Sequence, residues 1–240
     1  MKIEVITSFN KKYYDLIGKH CVDTFLMYWP EDLNITCYVE EFSIPEDNRI
    51  KQISFDNLDK KYFDFQHEKK VGGNERKFSK KAYSFIHAME NSTADRIIWL
   101  DADVLTKQYF PKEILESVLP DDVLSTHLGV TYVTDKGGNS GNWFVPETGF
   151  FAVNTNHKKF KWFSSEYRRR YDNIEFDGLR RKYDNDVYGD TFIRSGAKGL
   201  DLCEGLTKGY KTPFKRTVIG PYLNHYKAKG NKENFASLDV

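Results

Sequence analysis

The stretch Arg96-Ile97-Ile98-Trp99-Leu100-Asp101-Ala102-Asp103-Val104-Leu105 decides the fold: an apolar run stops abruptly on two aspartates spaced i and i+2. Consecutive apolar residues, two of them β-branched, predict a strand covered on both faces, as in the parallel sheet of an α/β protein. If the backbone stays extended past Leu100, Asp101 and Asp103 project to one side at the strand's carboxyl end. Open α/β sheets bind their ligands there. Two like charges held together repel each other and call for a compensating cation, which a divalent metal with a phosphate ligand supplies. A solvated acidic turn is the plainer reading of an Asp-x-Asp by itself, and placement at the end of a buried strand is what weighs against it.

Working outward, strands and helices alternate. Residues 2–7 predict a first strand, Asn10 a cap, and Tyr13, Ile17, Cys21 and Phe25 recur at helical spacing. Residues 35–39 predict a second strand between the breakers Pro30 and Pro45. Gly72-Gly73-Asn74 marks a loop, and from Ser79 the positions Ala82, Phe85, Ile86 and Met89 mark an amphipathic helix leading into the strand that ends at Asp101. Pro111 opens a short helix and residues 122–126 read as another strand. Residues 135–142, rich in Gly, Asn and Ser, read as a mobile loop. Glu147-Thr148-Gly149-Phe150-Phe151-Ala152-Val153-Asn154 reads as a strand with polar ends. Segment 157–182 carries many more Lys and Arg than Asp and Glu, which predicts a helix with a solvated basic face. The alternation places the chain in the α/β class as one domain, with a mixed, mostly parallel central sheet flanked by helices.

Composition narrows the partners little. With 36 Lys and Arg against 35 Asp and Glu in 240 residues, there is no global field for capturing nucleic acid. Cys21, Cys37 and Cys203 lie far apart without a Cys-x-x-Cys, which suggests neither a disulfide framework nor a thiolate zinc site and fits a reducing compartment. The opening Met1-Lys2-Ile3-Glu4-Val5-Ile6-Thr7 is too short and strand-like for a secretory signal, and no apolar run approaches bilayer length, so the expected localisation is cytoplasmic. The plentiful Tyr and Phe mostly serve a core, with sugar or base stacking as their other use.

The Asp101-Ala102-Asp103 strand end, the later Glu147–Asn154 segment, Tyr183-Asp184-Asn185-Asp186-Val187-Tyr188 and the late His225-Tyr226 follow an order that resembles GT-A-fold, nucleotide-sugar-dependent glycosyltransferases. The chain is most similar to glycosyltransferase family 8, the retaining galactosyl- and glucosyltransferases. The resemblance implies a single Rossmann-like GT-A domain over residues 1–240, with 1–105 as the nucleotide-binding half and 106–240 as the acceptor-binding half. It implies that Asp101, Asp103 and His225 bind Mn2+, or Mg2+, which bridges the donor diphosphate; one imidazole among carboxylates favours Mn2+. Such a Lewis acid stabilises the charge left on the diphosphate when the anomeric bond breaks. The family shows His-x-x-Gly-x-x-Lys-Pro-Trp, whereas here the glycine after His225 is delayed to Gly230 and Pro-Trp is missing. Lys227, Lys229 and Lys232 remain suited to a diphosphate, a frayed basic tail being the alternative.

The same resemblance assigns Asp184 to the donor's hydroxyls and Asn185, in place of the usual Gln, to the transition state beside the anomeric carbon. Asn is one methylene shorter than Gln, and an Asx-type helix cap is the structural alternative. Glu147 would accept hydroxyls from donor or acceptor, and Gly149 would let backbone approach the ligand. Thr7, Ser8 and Phe9 correspond to the base and ribose pocket. Of Arg76, Lys77, Lys80 and Lys81, one or two would meet the diphosphate or the sugar, Lys77 and Lys80 foremost.

The function implied is metal-dependent transfer of a sugar from a nucleotide-diphosphate sugar, UDP-linked by resemblance, to a hydroxyl on a glycan, protein, lipid or nucleic acid. With Asn185 under the sugar and no strong base on that face, the reaction retains configuration; with Glu147 as general base it would invert. Two other classes compete. Phe160, Trp162, Phe163, Tyr167 and Tyr171, interleaved with the basic segment, suit a nucleic-acid-directed transferase or a catalytically silent sugar- or nucleic-acid-binding module. A sugar-nucleotide pyrophosphorylase needs a Gly-rich phosphate loop after the first strand, and Ser8-Phe9-Asn10-Lys11-Lys12 is not one.

Overall fold

The computed structural model describes residues 1–129, 131–134, 140–204 and 213–226. Strand β1 (Ile3–Asn10) leads through α1 (Lys11–Tyr13), a π-helical stretch (Tyr14–Gly18) and α2 (Lys19–Tyr28) to β2 (Asn34–Glu40) and β3 (Ile50–Ser54). Helices α3 (Lys60–His67) and α4 (Gly73–Asn91) precede β4 (Arg96–Leu100) and β5 (Val104–Thr106). Then come α5 (Lys112–Ser117), β6 (Ser125–Leu128), the hairpin strands β7 (Thr131–Thr134) and β8 (Ser140–Phe144), and β9 (Glu147–Asn154). Helices α6 (Phe160–Asp172) and α7 (Asp184–Ser195) and strands β10 (Gly199–Asp201) and β11 (Leu223–His225) complete the described chain.

Seven strands form the central sheet in the order β10-β6-β9-β4-β1-β2-β3. β1 pairs in parallel with β2 and β4, β2 with β3, and β6 with β10, while β9 runs antiparallel to both β4 and β6. The apolar run of β4 has its cause here. All five residues of the strand are buried, with Ile98 and Leu100 in the core under α2 and Ile97 and Trp99 in the core under α4, α6 and α7. From β1 the chain winds outward to β2 and β3, then returns to β4 on β1's other side. The carboxyl ends of β1 and β4 therefore flank a switch point, where α/β sheets leave a crevice.

The helix expected from Ser79 is α4, with Ala82, Phe85, Ile86 and Met89 buried. Asn10 caps α1, its side chain accepting the Tyr13 N–H at 2.8 Å, and Pro111 precedes α5. The glycines at 72 and 73 begin α4 rather than form a loop. β1 runs on to Asn10 because its pairing with β2 continues to Glu40. β6 starts at Ser125, opposite Val153 of β9, later than expected. β3 and α3 carry too many polar residues for an apolar pattern to reveal them. Of the stretch read as a loop, residues 140–142 belong to β8 and 135–139 lie outside the described residues.

The basic segment is knitted into the protein. Arg168 bridges Asp59, Glu90 and Asp172, Arg169 pairs with Glu166 and Glu175, and Arg170 with Asp190. Phe163, Tyr167 and Tyr171 are core residues, not stacking platforms. Among the described residues, no helix is long and apolar enough to cross a membrane.

Candidate functional site

At the carboxyl edge of the sheet lies a cleft of about 800 Å³, lined among others by Ser8, Phe9, Lys77, Asp101, Asp103, Glu147, Asp184, Asn185 and His225. Widely separated parts of the chain meet there. The β4 strand does not stay extended past Leu100: Asp101 O accepts the Val104 N–H at 2.9 Å, so residues 101–104 form a turn. Asp101 N–H still bonds Gly149 O at 2.9 Å, continuing the β4–β9 ladder. The turn, rather than strand pleating, brings the two carboxylates together.

The third member arrives by a second, two-stranded ribbon. β5 follows directly on the turn and pairs antiparallel with β11, setting His225 opposite Val104. His225 Nε2 consequently lies 3.1 Å from Asp103 Oδ1 and 3.8 Å from Asp101 Oδ2. One ligand atom from each of the three residues falls within 4.8 Å of the others. Two carboxylate oxygens and one imidazole nitrogen match the donor set of a divalent cation such as Mn2+. Asp103 and the His225 side chain are both largely buried, at 7% exposure each.

Electrostatics follow from this crowding. Burial disfavours the His225 imidazolium, but the hydrogen bond and charge of Asp103, helped by Glu147 and Asp101, outweigh it and hold its pKa above the ordinary value. Burial likewise works against the Asp103 carboxylate, yet His225 and the Tyr13 hydroxyl, 2.9 Å away, keep its pKa below the usual range. Tyr13 itself, half-buried and facing Asp103, is pushed up and stays a proton donor.

Lys81 is the cation that pairs with the carboxylates of the site. From α4 its ammonium reaches Asp101 Oδ1 at 2.7 Å, Asp184 Oδ2 at 3.3 Å and the Thr148 carbonyl, above the ring of Trp99. Burial opposes its charge, and Asp101 and Asp184 more than restore it, raising its pKa. Asp184, 5% exposed in the first turn of α7, also accepts the Thr148 hydroxyl at 2.8 Å. Asn185 lines the cleft beside it, its side-chain oxygen accepting the Asp186 N–H at 3.0 Å. No side chain caps α7 from Tyr183, so the Asx-cap alternative is not what this turn does.

The other expected residues fall as follows. Ser8 and Phe9 line the cleft, whereas Thr7 is fully buried in β1 and its hydroxyl finds no partner among the described residues. Lys77 lines the cleft with its ammonium over Phe78 and no acidic partner among the described residues; Lys80 is engaged by Glu40. Lys227, Lys229, Gly230 and Lys232 lie outside the described residues. Gly149 makes room for the His225 ring, not for a ligand: a Cβ there would lie 2.7 Å from His225 Cε1 and Nδ1. Thr148, read with Glu147 and Gly149 as lining the sugar pocket, does line the cleft, whereas sequence reasoning missed Tyr13 and Trp99 as site residues. Trp99, two residues before Asp101 on a strand, carried the one usable signal, since that spacing shares a face.

No family profile matches the chain, and no curated protein matches it in sequence. Its fold is shared with solved glycosyltransferases. The galactosyltransferase LgtC in complex with donor and acceptor sugar analogues is similar at 15% identity and TM-score 0.54, over 98% of this chain and 94% of that one. Mouse xyloside xylosyltransferase 1 in its apo form is similar at 14% identity and TM-score 0.55, over 85% and 86%. The bifunctional WbbM apo structure gives 13% and 0.58, over 98% of this chain and 49% of that one. The chain thus has the GT-A type of mixed α/β fold, and its Asp-Asp-His cluster lies at the sheet edge where such folds bind ligands.

Proposed function

We propose that the protein is a metal-dependent glycosyltransferase of the family 8 type, moving a sugar from a UDP-sugar to a hydroxyl acceptor with retention of anomeric configuration. One observation carries this reading: the Asp101–Asp103 pair and His225, far apart from it in sequence, converge in a large cleft at the switch point of a GT-A-type sheet. The three residues would hold Mn2+ or Mg2+. Bound there, the cation supplies Lewis-acid stabilisation of the charge that develops on the departing diphosphate.

The remaining work falls to the chain itself. Ser8 and Phe9 bind the nucleoside, and Lys77, a cleft cation without a carboxylate partner among the described residues, meets the diphosphate. Lys80, held by Glu40, is less suited to that task. Asp184 receives donor hydroxyls, its orientation fixed by Thr148 and Lys81. Asn185 turns its amide dipole towards the positive charge that grows on the sugar ring. As the anomeric C–O bond to phosphate breaks, the acceptor oxygen bonds the same face and its proton passes to the departing phosphate oxygen.

A donor screen tests this: UDP-, GDP- and ADP-sugars are incubated with protein and Mn2+, and slow transfer to water is followed by NMR of the first-formed anomeric proton. An α-linked UDP-sugar should be consumed and yield the α-anomer. Asn185→Ala should lower kcat by about 10²–10³-fold with donor affinity nearly intact. A β-product would refute retention, and no turnover of any donor would refute the transferase reading.

A further inference from the structure

Each residue of the Asp-Asp-His cluster has two polar side-chain atoms, and in each case one faces the cluster while the other faces a different partner. Asp101 turns Oδ2 towards His225, and its Oδ1 accepts the Trp99 indole N–H at 2.6 Å and the Lys81 ammonium at 2.7 Å. Asp103 turns Oδ1 towards His225 at 3.1 Å, and its Oδ2 accepts the Tyr13 hydroxyl at 2.9 Å. His225 turns Nε2 towards both aspartates, and its buried Nδ1 makes no hydrogen bond among the described residues but has Glu147 Oε1 at 3.4 Å, just beyond bonding range. The partners come from four places in the fold, namely α1, α4, β4 and the first residue of β9.

We infer that Glu147 is a positioning residue that fixes the His225 ring with Nδ1–H towards its carboxylate and Nε2 towards the cation, and that Tyr13 and the Trp99–Lys81 pair do the same for Asp103 and Asp101. This rests on the cation site proposed above. A histidine ligand is oriented, and its basicity raised, by a carboxylate on its other nitrogen. A carboxylate with one oxygen tied by two donors presents the other as a single, directed ligand atom. Gly149 contributes the space that lets the ring adopt this orientation. Glu147 then acts through His225, which takes it away from the acceptor hydroxyl and removes the side chain that an inverting reaction would use as its base.

The test is Mn2+ affinity without donor, from the loss of the free-ion EPR signal, on folded protein checked by circular dichroism. Glu147→Gln keeps an oxygen that accepts from Nδ1–H and should bind Mn2+ within about threefold of wild type. Glu147→Ala should bind about ten- to a hundredfold more weakly. Tyr13→Phe, a deletion of one half-buried hydroxyl, gives an independent reading and should lose about tenfold. Wild-type affinity in both Glu147→Ala and Tyr13→Phe would overturn the inference alone, as would equal losses in Glu147→Gln and Glu147→Ala. Failure of the wild type to bind Mn2+ would overturn the cation site and the inference with it.

Discussion

Replacing Gly149 by alanine would put a methyl carbon 2.7 Å from Cε1 and Nδ1 of His225 and 3.2 Å from Phe214 Cε2. The ring cannot simply swing aside, because it packs on the buried Phe214 at 5.3 Å and bonds Asp103 on its far edge. Overpacking of this kind costs about 1–3 kcal/mol. Gly149→Ala should therefore lower the melting temperature modestly and weaken Mn2+ binding by tenfold or more; unaltered Mn2+ affinity would mean that the His225 position does not matter to the cation. At this scale the sequence was partly legible. Asp101 and Asp103 stood out as charges ending an apolar run, and His225 through its order after them. Lys81 did not stand out from Arg76, Lys77 and Lys80, because a run of cations on one helix says nothing of which faces inward until the helix is packed. Tyr13 looked like one more apolar position on a helical face, yet its hydroxyl meets Asp103.

Among the elements, β6 carries a second histidine whose setting is apolar. His127 is 3% exposed, its Nδ1 is 3.0 Å from the Ser125 hydroxyl, and the rings of Phe144 and Phe192 stand edge-on at 5.0 and 4.9 Å. Burial pushes its pKa down to about 4 against the opposing pull of Asp201. The unfolded chain, with an ordinary imidazole near 6.5, takes up the proton first as the pH falls. Stability from burying the neutral ring is thus complete above pH of about 6.5 and is lost as the pH drops towards 4. At pH 5 the loss is about 2 kcal/mol. Urea unfolding at about pH 7.5 and pH 5 should show wild type losing about that much more than His127→Phe; the same pH dependence in both would contradict the assignment. The elements that sequence pattern located best are those with one face or both faces in a core, such as α4, β4 and β9. β3, half-buried at the sheet edge, has no such pattern and was not foreseen, nor was the β7–β8 hairpin.

For the molecule as a whole, the direction of β9 decides how the site is built. In a fully parallel sheet this strand would bring its last residues to the ligand-binding edge; running antiparallel between β4 and β6, it brings its first, Glu147 and Thr148. The strand was legible in the sequence and its direction was not, because alternation and apolar content are blind to orientation. The same holds for the β5–β11 ribbon, whose short strands tie His225 to the Asp101–Asp103 turn across 122 residues of chain. What results is a cleft with a ready set of ligand atoms at the carboxyl edge of the sheet. Isothermal calorimetry of UDP-sugar binding, with Mn2+ and again with EDTA, tests that picture most directly. Binding should be seen with Mn2+, vanish with EDTA, and be lost in Asp103→Asn under both conditions; equal affinity with Mn2+ and with EDTA would contradict the account.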